Sequence, residues 1–97
     1  VPEGCVHNAH MFYIEAADIE VRSAFISFMK ENGVMCVFHY IPLHSAPAGL
    51  KYGRFDGVDE YTTKESERLV RLPLYYGLTV EEQNKVIRCI QMFYEDR

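Results

Sequence analysis

The stretches HMFYIE (residues 10–15), DIEVRSAFISFMKENG (18–33) and VMCVFHY (34–40) decide how this chain is read. In the first, His10, Phe12 and Ile14 alternate with Met11, Tyr13 and Glu15, the period of two that marks a strand. In the second, Asp18 stands where a helix N-cap accepts amide protons. Val21, Phe25, Phe28 and Met29 then recur at i, i+4, i+7 and i+8, so they share one helical face. Gly33 stands at the position that ends such a helix. The third is short, apolar and rich in β-branched and aromatic residues, which predicts a second strand beside the first. Pro42, with no amide proton for a ladder, closes it.

Beyond that core the pattern changes. From 43 to 61, Pro47, Gly49, Gly53 and Gly57 break any period, and Tyr52, Phe55 and Tyr61 are scattered among them. The spacing predicts a long loop with at most one helical turn, and its aromatics favour docking against another surface. Thr62 and Glu65 have capping-box spacing and open an expected helix carrying Leu69 and Val70, followed by an extended edge segment over 72–75. Thr79 and Glu82 repeat the box before a last helix striped with Val86, Ile87, Ile90, Phe93 and Tyr94. The string of elements predicts a single α/β (α+β) domain over 1–97, a small mostly antiparallel sheet covered by helices.

The 97 residues carry a formal charge of −4, which argues against nucleic acid as the main partner. With 48% hydrophobic and 25% charged residues the composition is that of a folded domain, and no apolar stretch is long enough for a membrane helix. We therefore expect a soluble, cytoplasmic protein without membrane contact. The chain opens at Val1 on the loop-like VPEGC, as though cut from something larger.

Little in the sequence marks autonomous catalysis. Cys5, Cys36 and Cys89 cannot all pair, and Cys36 and Cys89 fall on apolar elements where an inert buried thiol is expected. No G-x-S-x-G or glycine-rich phosphate cradle is present. Glu65, Glu67, Arg68 and Arg71 read as a solvated helix face with a Glu67–Arg71 pair. Lys30, Lys51, Lys64 and Lys85 occupy exposed-looking ground, whereas a Schiff-base lysine needs a desolvated or cation-flanked pocket. His7 and His10 read as ordinary histidines. His39 and His44 flank a strand end leading into the functional-looking loop, and a site role is weighed for both. Neither histidine pair has the helical spacing of a zinc site, so metal binding is the weakest reading.

The segment HYIPLH at 39–44, after the helix and Asn32-Gly33-Val34, resembles the H-Y-x-P-L-H segment of the DegT/StrS-type nucleotide-sugar aminotransferases. RLPL at 71–74 and LTVEE at 78–82 match that family's later motifs, so the resemblance covers nearly the whole chain. Within the family, GCVHNAHMFY (4–13), HYIPLHSAPAG (39–49) and YTTKESERL (61–69) most resemble the dTDP-4-amino-4,6-dideoxygalactose transaminases.

The resemblance implies the C-terminal small domain of a fold-type I pyridoxal-phosphate enzyme. Such an enzyme is usually a homodimer and moves an amino group from glutamate to C4 of a dTDP-4-keto-6-deoxyhexose. The product feeds cell-surface polysaccharide synthesis, either enterobacterial common antigen or lipopolysaccharide. The Schiff-base lysine, the aspartate facing the pyridine nitrogen and most phosphate ligands belong to the family's large domain, so these 97 residues alone are expected to be inactive and to bind no cofactor. What they can supply is one wall of the sugar site. His39 and Tyr40 offer an imidazole and a phenol to sugar hydroxyls or to the diphosphate, with Pro42 aiming them. His44 and Arg54 follow, Arg54 through a forked phosphate contact. The alternative is a stand-alone interaction module that uses the aromatic 43–61 segment as its contact surface.

Overall fold

The computed structural model describes residues 1–97. Strand β1 (Phe12–Glu15) leads into helix α1 (Ile19–Glu31), then strand β2 (Val37–Phe38), a 3-10 turn (Leu43–Ser45) and helix α2 (Pro47–Tyr52). Helix α3 (Thr62–Arg68) runs without a break into strand β3 (Leu69–Leu72), and helix α4 (Val80–Glu95) ends the order. The expected architecture, a small antiparallel sheet packed against helices, is present.

Its strand order differs from the reading above. β3 lies between β1 and β2 and is antiparallel to both, so the first two strands are opposite edges and never pair. The 69–72 segment is thus central strand, where the sequence reading placed Leu69 and Val70 on a helix and an edge segment at 72–75. Val70 and Leu72 alternate onto the core face, and Pro73 bars helical continuation and biases Leu72 to extended backbone. β2 is also shorter than the 34–40 stretch that suggested it.

Helix α1 starts and stops as its residues dictate. Asp18 accepts the Val21 N–H at 2.8 Å. At the other end Gly33, at φ +76°, donates to Lys30 O, while Val34 donates to Met29 O. These two bonds form a Schellman closure that needs the left-handed region. Phe25, Met29, Val34, Cys36, Val70, Cys89 and Phe93 are the buried core. Phe25 meets Phe93 edge to face at 5.2 Å. Along α4 Cys89 is buried, as expected of it, whereas Ile87 and Tyr94 of the predicted stripe remain 43% exposed.

The Thr79 capping box forms, with Thr79 Oγ1 accepting the Glu82 N–H and Glu82 Oε2 accepting the Thr79 N–H. The one proposed at Thr62 does not: Thr62 is already helical, and Tyr61 precedes it without a side-chain cap. Glu65 pairs with Arg68 at 3.0 Å instead, and Arg68 also reaches Glu15 at 3.8 Å. The Glu67–Arg71 pair is absent because Arg71 stands on the strand.

Only eight residues are buried, and the radius of gyration is 16.0 Å, against about 13 Å for a compact domain of about 100 residues. The N-terminal segment and the 43–61 segment enclose little of their own surface. One sheet face packs on the helices; the other, carrying Tyr13, Val37 and Arg71, does not.

Candidate functional site

The 43–61 segment is more ordered locally than its punctuation predicts. Pro47 occupies the first position of α2, where a missing amide proton costs nothing. Gly49 lets α2 lie against the 3-10 turn: a Cβ there would stand 1.7 Å from Leu43 O and 3.2 Å from His44 Cα. The turn and helix thereby hold His44 over a hollow of about 520 Å³ shared with Arg54, Tyr52, Phe55 and Asp56.

His44 is fixed from two sides. Its Nε2–H donates to Asp59 Oδ2 at 2.9 Å, and its ring lies 4.5 Å from that of Phe55. Asp59 is held in turn by Thr63, whose N–H donates to Oδ1 at 3.2 Å and whose hydroxyl donates to Oδ2. The Thr63 hydroxyl, then the Thr63 amide and His44, keep the Asp59 carboxyl below its ordinary value. An aspartate that orients one imidazole nitrogen leaves the other free to act as acceptor.

His39 and Tyr40 stand apart from this hollow, beyond the end of β2. Their rings lie 4.0 Å apart, and Arg71 Nη1 donates to His39 Nδ1 at 3.3 Å. That contact assigns the His39 proton to Nε2, which is then a donor. Tyr40 is 65% exposed. The four residues proposed from sequence therefore form two pairs, His39 with Tyr40 and His44 with Arg54, joined by the short stretch around Pro42. None of the five main hollows is lined by all four.

Sequence reasoning overlooked Asp59, Thr63 and Arg71. Asp59 could have been found as a cap-forming residue just ahead of a helix. Arg71 was legible only after Val70 and Leu72 had been recognised as a strand alternation. The remaining histidines make local bonds: His7 Nδ1 accepts the Ala9 N–H at 2.8 Å, and His10 lies 2.6 Å from Asn8 Oδ1. No three His, Cys, Asp or Glu side chains gather as a metal group. Burial, with the Cys89 thiol adding to it, pushes Cys36 up to about 11, which keeps that thiol protonated at neutral pH, and Cys89 is likewise buried.

The lysines decide the fit to pyridoxal phosphate. Lys30, Lys51, Lys64 and Lys85 are all exposed. A lysine that must shed its proton to form a Schiff base needs a desolvated pocket. Of the four only Lys85 lines a sizeable hollow together with an arginine, and that hollow is open and also holds Glu82. These residues do not make a cofactor site by themselves.

Comparison with known proteins agrees with this partial character. The chain is 29% identical over 93 residues to a pleiotropic regulatory protein of Geobacillus stearothermophilus, covering 95% of this chain and 24% of that relative. It thus spans about a quarter of that relative's length. No helix is long and apolar enough to cross a membrane. The sequence profile of the DegT/DnrJ/EryC1/StrS aminotransferase family matches residues 2–91, and the chain belongs to that family.

Proposed function

We propose that these 97 residues are the C-terminal small domain of a pyridoxal-phosphate-dependent, cytoplasmic nucleotide-sugar aminotransferase, and that they form the substrate-facing wall of its site. The observation that carries this reading is the family match over residues 2–91. Supporting it are two ordered polar pairs on either side of Pro42 and lysines too exposed for Schiff-base chemistry. The cofactor supplies the amino-transfer chemistry when bound; its lysine and phosphate ligands come from a large domain of the same chain, and the working unit is a homodimer. The reaction moves an amino group from glutamate to C4 of a dTDP-4-keto-6-deoxyhexose, with a dTDP-4-amino-4,6-dideoxygalactose product for cell-surface polysaccharide.

In this scheme His39 Nε2–H donates to a sugar hydroxyl or a diphosphate oxygen, Tyr40 offers its phenol beside it, and Arg54 reaches a phosphate oxygen from the loop hollow. His44, oriented by Asp59, accepts a hydroxyl proton. None of these steps needs the isolated chain to catalyse anything. The test is transamination of dTDP-4-keto-6-deoxyglucose by glutamate in the full-length protein. We expect turnover, with His39→Ala and Tyr40→Phe raising the sugar-nucleotide KM; unchanged KM and kcat in both variants would contradict the assignment.

A second reading is a regulatory or interaction module without catalysis. The name of the Geobacillus relative favours it, as do Leu43, Tyr52 and Tyr61, each more than 70% exposed in the projecting segment. Absence of both turnover and bound cofactor in the full-length protein would move this reading to the front.

A further inference from the structure

The uncovered face of the sheet holds a cation that forms no ion pair within the chain; Glu82, the acid that shares a hollow with it, is engaged by Thr79 in the capping box. Arg71 sits on the central strand, directly opposite Tyr13 on one neighbour and Val37 on the other, so the three share that face. Arg68 pairs with Glu15 and Glu65, and Asp59 is taken up by His44 and Thr63; no carboxylate lies within ion-pair distance of Arg71. Its only side-chain hydrogen bond is the 3.3 Å donation to His39 Nδ1. Nε and Nη2 of the guanidinium remain unused by the protein, and His39 Nε2–H is a second donor next to them. Tyr40, its ring 4.0 Å from the imidazole, supplies a flat apolar flank.

Whatever covers a sheet face of this composition must neutralise Arg71, because a guanidinium buried without a counter-charge is strongly destabilising. A planar fork beside an imidazole N–H matches the oxygens of a phosphoryl group, which takes two parallel N–H donors from arginine. The central strand fixes Arg71 on backbone held by ladder hydrogen bonds, and His39 follows directly on the two-residue edge strand β2. We infer that Arg71 and His39 together are a phosphate-recognition pair, and that the group they take is the diphosphate of a nucleotide-linked ligand. This rests on the nucleotide-sugar reading above and adds to it a residue on β3 that contacts the ligand's charged half.

The experiment is calorimetric titration of dTDP and of inorganic pyrophosphate into the full-length protein, its Arg71→Gln and Arg71→Lys variants, and Lys64→Gln as an exposed-charge control, each checked for native circular dichroism. Arg71→Gln is expected to weaken dTDP and pyrophosphate by about tenfold or more, the scale of a lost charge-assisted bond. Its affinity should also fall less steeply with salt. Arg71→Lys, which keeps the charge without the fork, should recover part of the loss, and Lys64→Gln should bind as the parent does. In turnover, Arg71→Gln should raise the sugar-nucleotide KM with kcat within about twofold, the mark of a lost ground-state contact. Equal affinity in parent and Arg71→Gln, or no binding of either probe to the parent, overturns the pair even if transamination is intact. Arg71-dependent binding of both probes without transamination would uphold the pair and sink the aminotransferase reading.

Discussion

Gly49→Ala is the substitution whose outcome the structure fixes most sharply, because two effects oppose each other and geometry says which wins. Within a helix, alanine is favoured over glycine by about 0.8–1.0 kcal/mol. Here, however, the added Cβ would stand 1.7 Å from Leu43 O and 2.8 Å from Leu43 C. A carbon approaches a carbonyl oxygen no closer than about 3.3 Å, so a gap of about 1.6 Å has to open between α2 and the 3-10 turn. Both obstructing atoms are backbone, so no rotamer change relieves them. Overpacking of this kind costs about 1–3 kcal/mol, which outweighs the propensity gain. The turn carries His44, and the displacement is large beside its 2.9 Å bond to Asp59. Hydrogen exchange across residues 43–63 should therefore accelerate, and affinity for any ligand of the hollow should fall. Lys51→Ala, at an exposed position of the same helix, isolates the propensity term and should leave exchange unchanged or slower. Parental exchange rates and unchanged stability in Gly49→Ala would refute the close approach.

Phe25→Ala removes a wholly buried ring from between α1 and α4 and should lower urea stability by about 3–5 kcal/mol, a large share of the 5–15 kcal/mol typical of a domain; a loss under about 1 kcal/mol would place the core elsewhere. A thiol reagent at pH 8 should modify exposed Cys5 quickly and spare Cys36, pushed up to about 11, and buried Cys89 until the chain is unfolded, as counted by intact mass; three equal rates would contradict that burial. Because the Asp59 carboxyl is lowered below 3.8 in the folded chain, its contribution is complete above that value and is lost as pH falls through the lower folded value. Protection of the Thr63 amide should drop over that acid range in the parent, whereas Asp59→Asn should start lower and show no such step.

The parts of the fold that were legible share a cause: each is specified by residues close in sequence. Asp18, Gly33 and the Thr79–Glu82 box act over three or four positions, and α1 buries the face its spacing marks out. The strand order was not legible, because the insertion of β3 between β1 and β2 depends on partners more than fifty residues apart in one pairing. Locally, Val70 and Leu72 fit a helix end as well as a strand until the sheet decides between them. The same limit applied to the site. His39 and His44 stood out for their place around Pro42, but their partners Arg71 and Asp59 are 32 and 15 residues away. Gly49, read as a breaker, is a helical residue whose use is closeness and not flexibility.

The central claim is that this domain faces substrate while another part of the protein holds the cofactor. Its most direct test is to load the full-length protein with pyridoxal phosphate, reduce it with borohydride and map the modified lysine by peptide mass. The account predicts a single pyridoxyl-lysine outside these 97 residues; modification at Lys30, Lys51, Lys64 or Lys85 would contradict it.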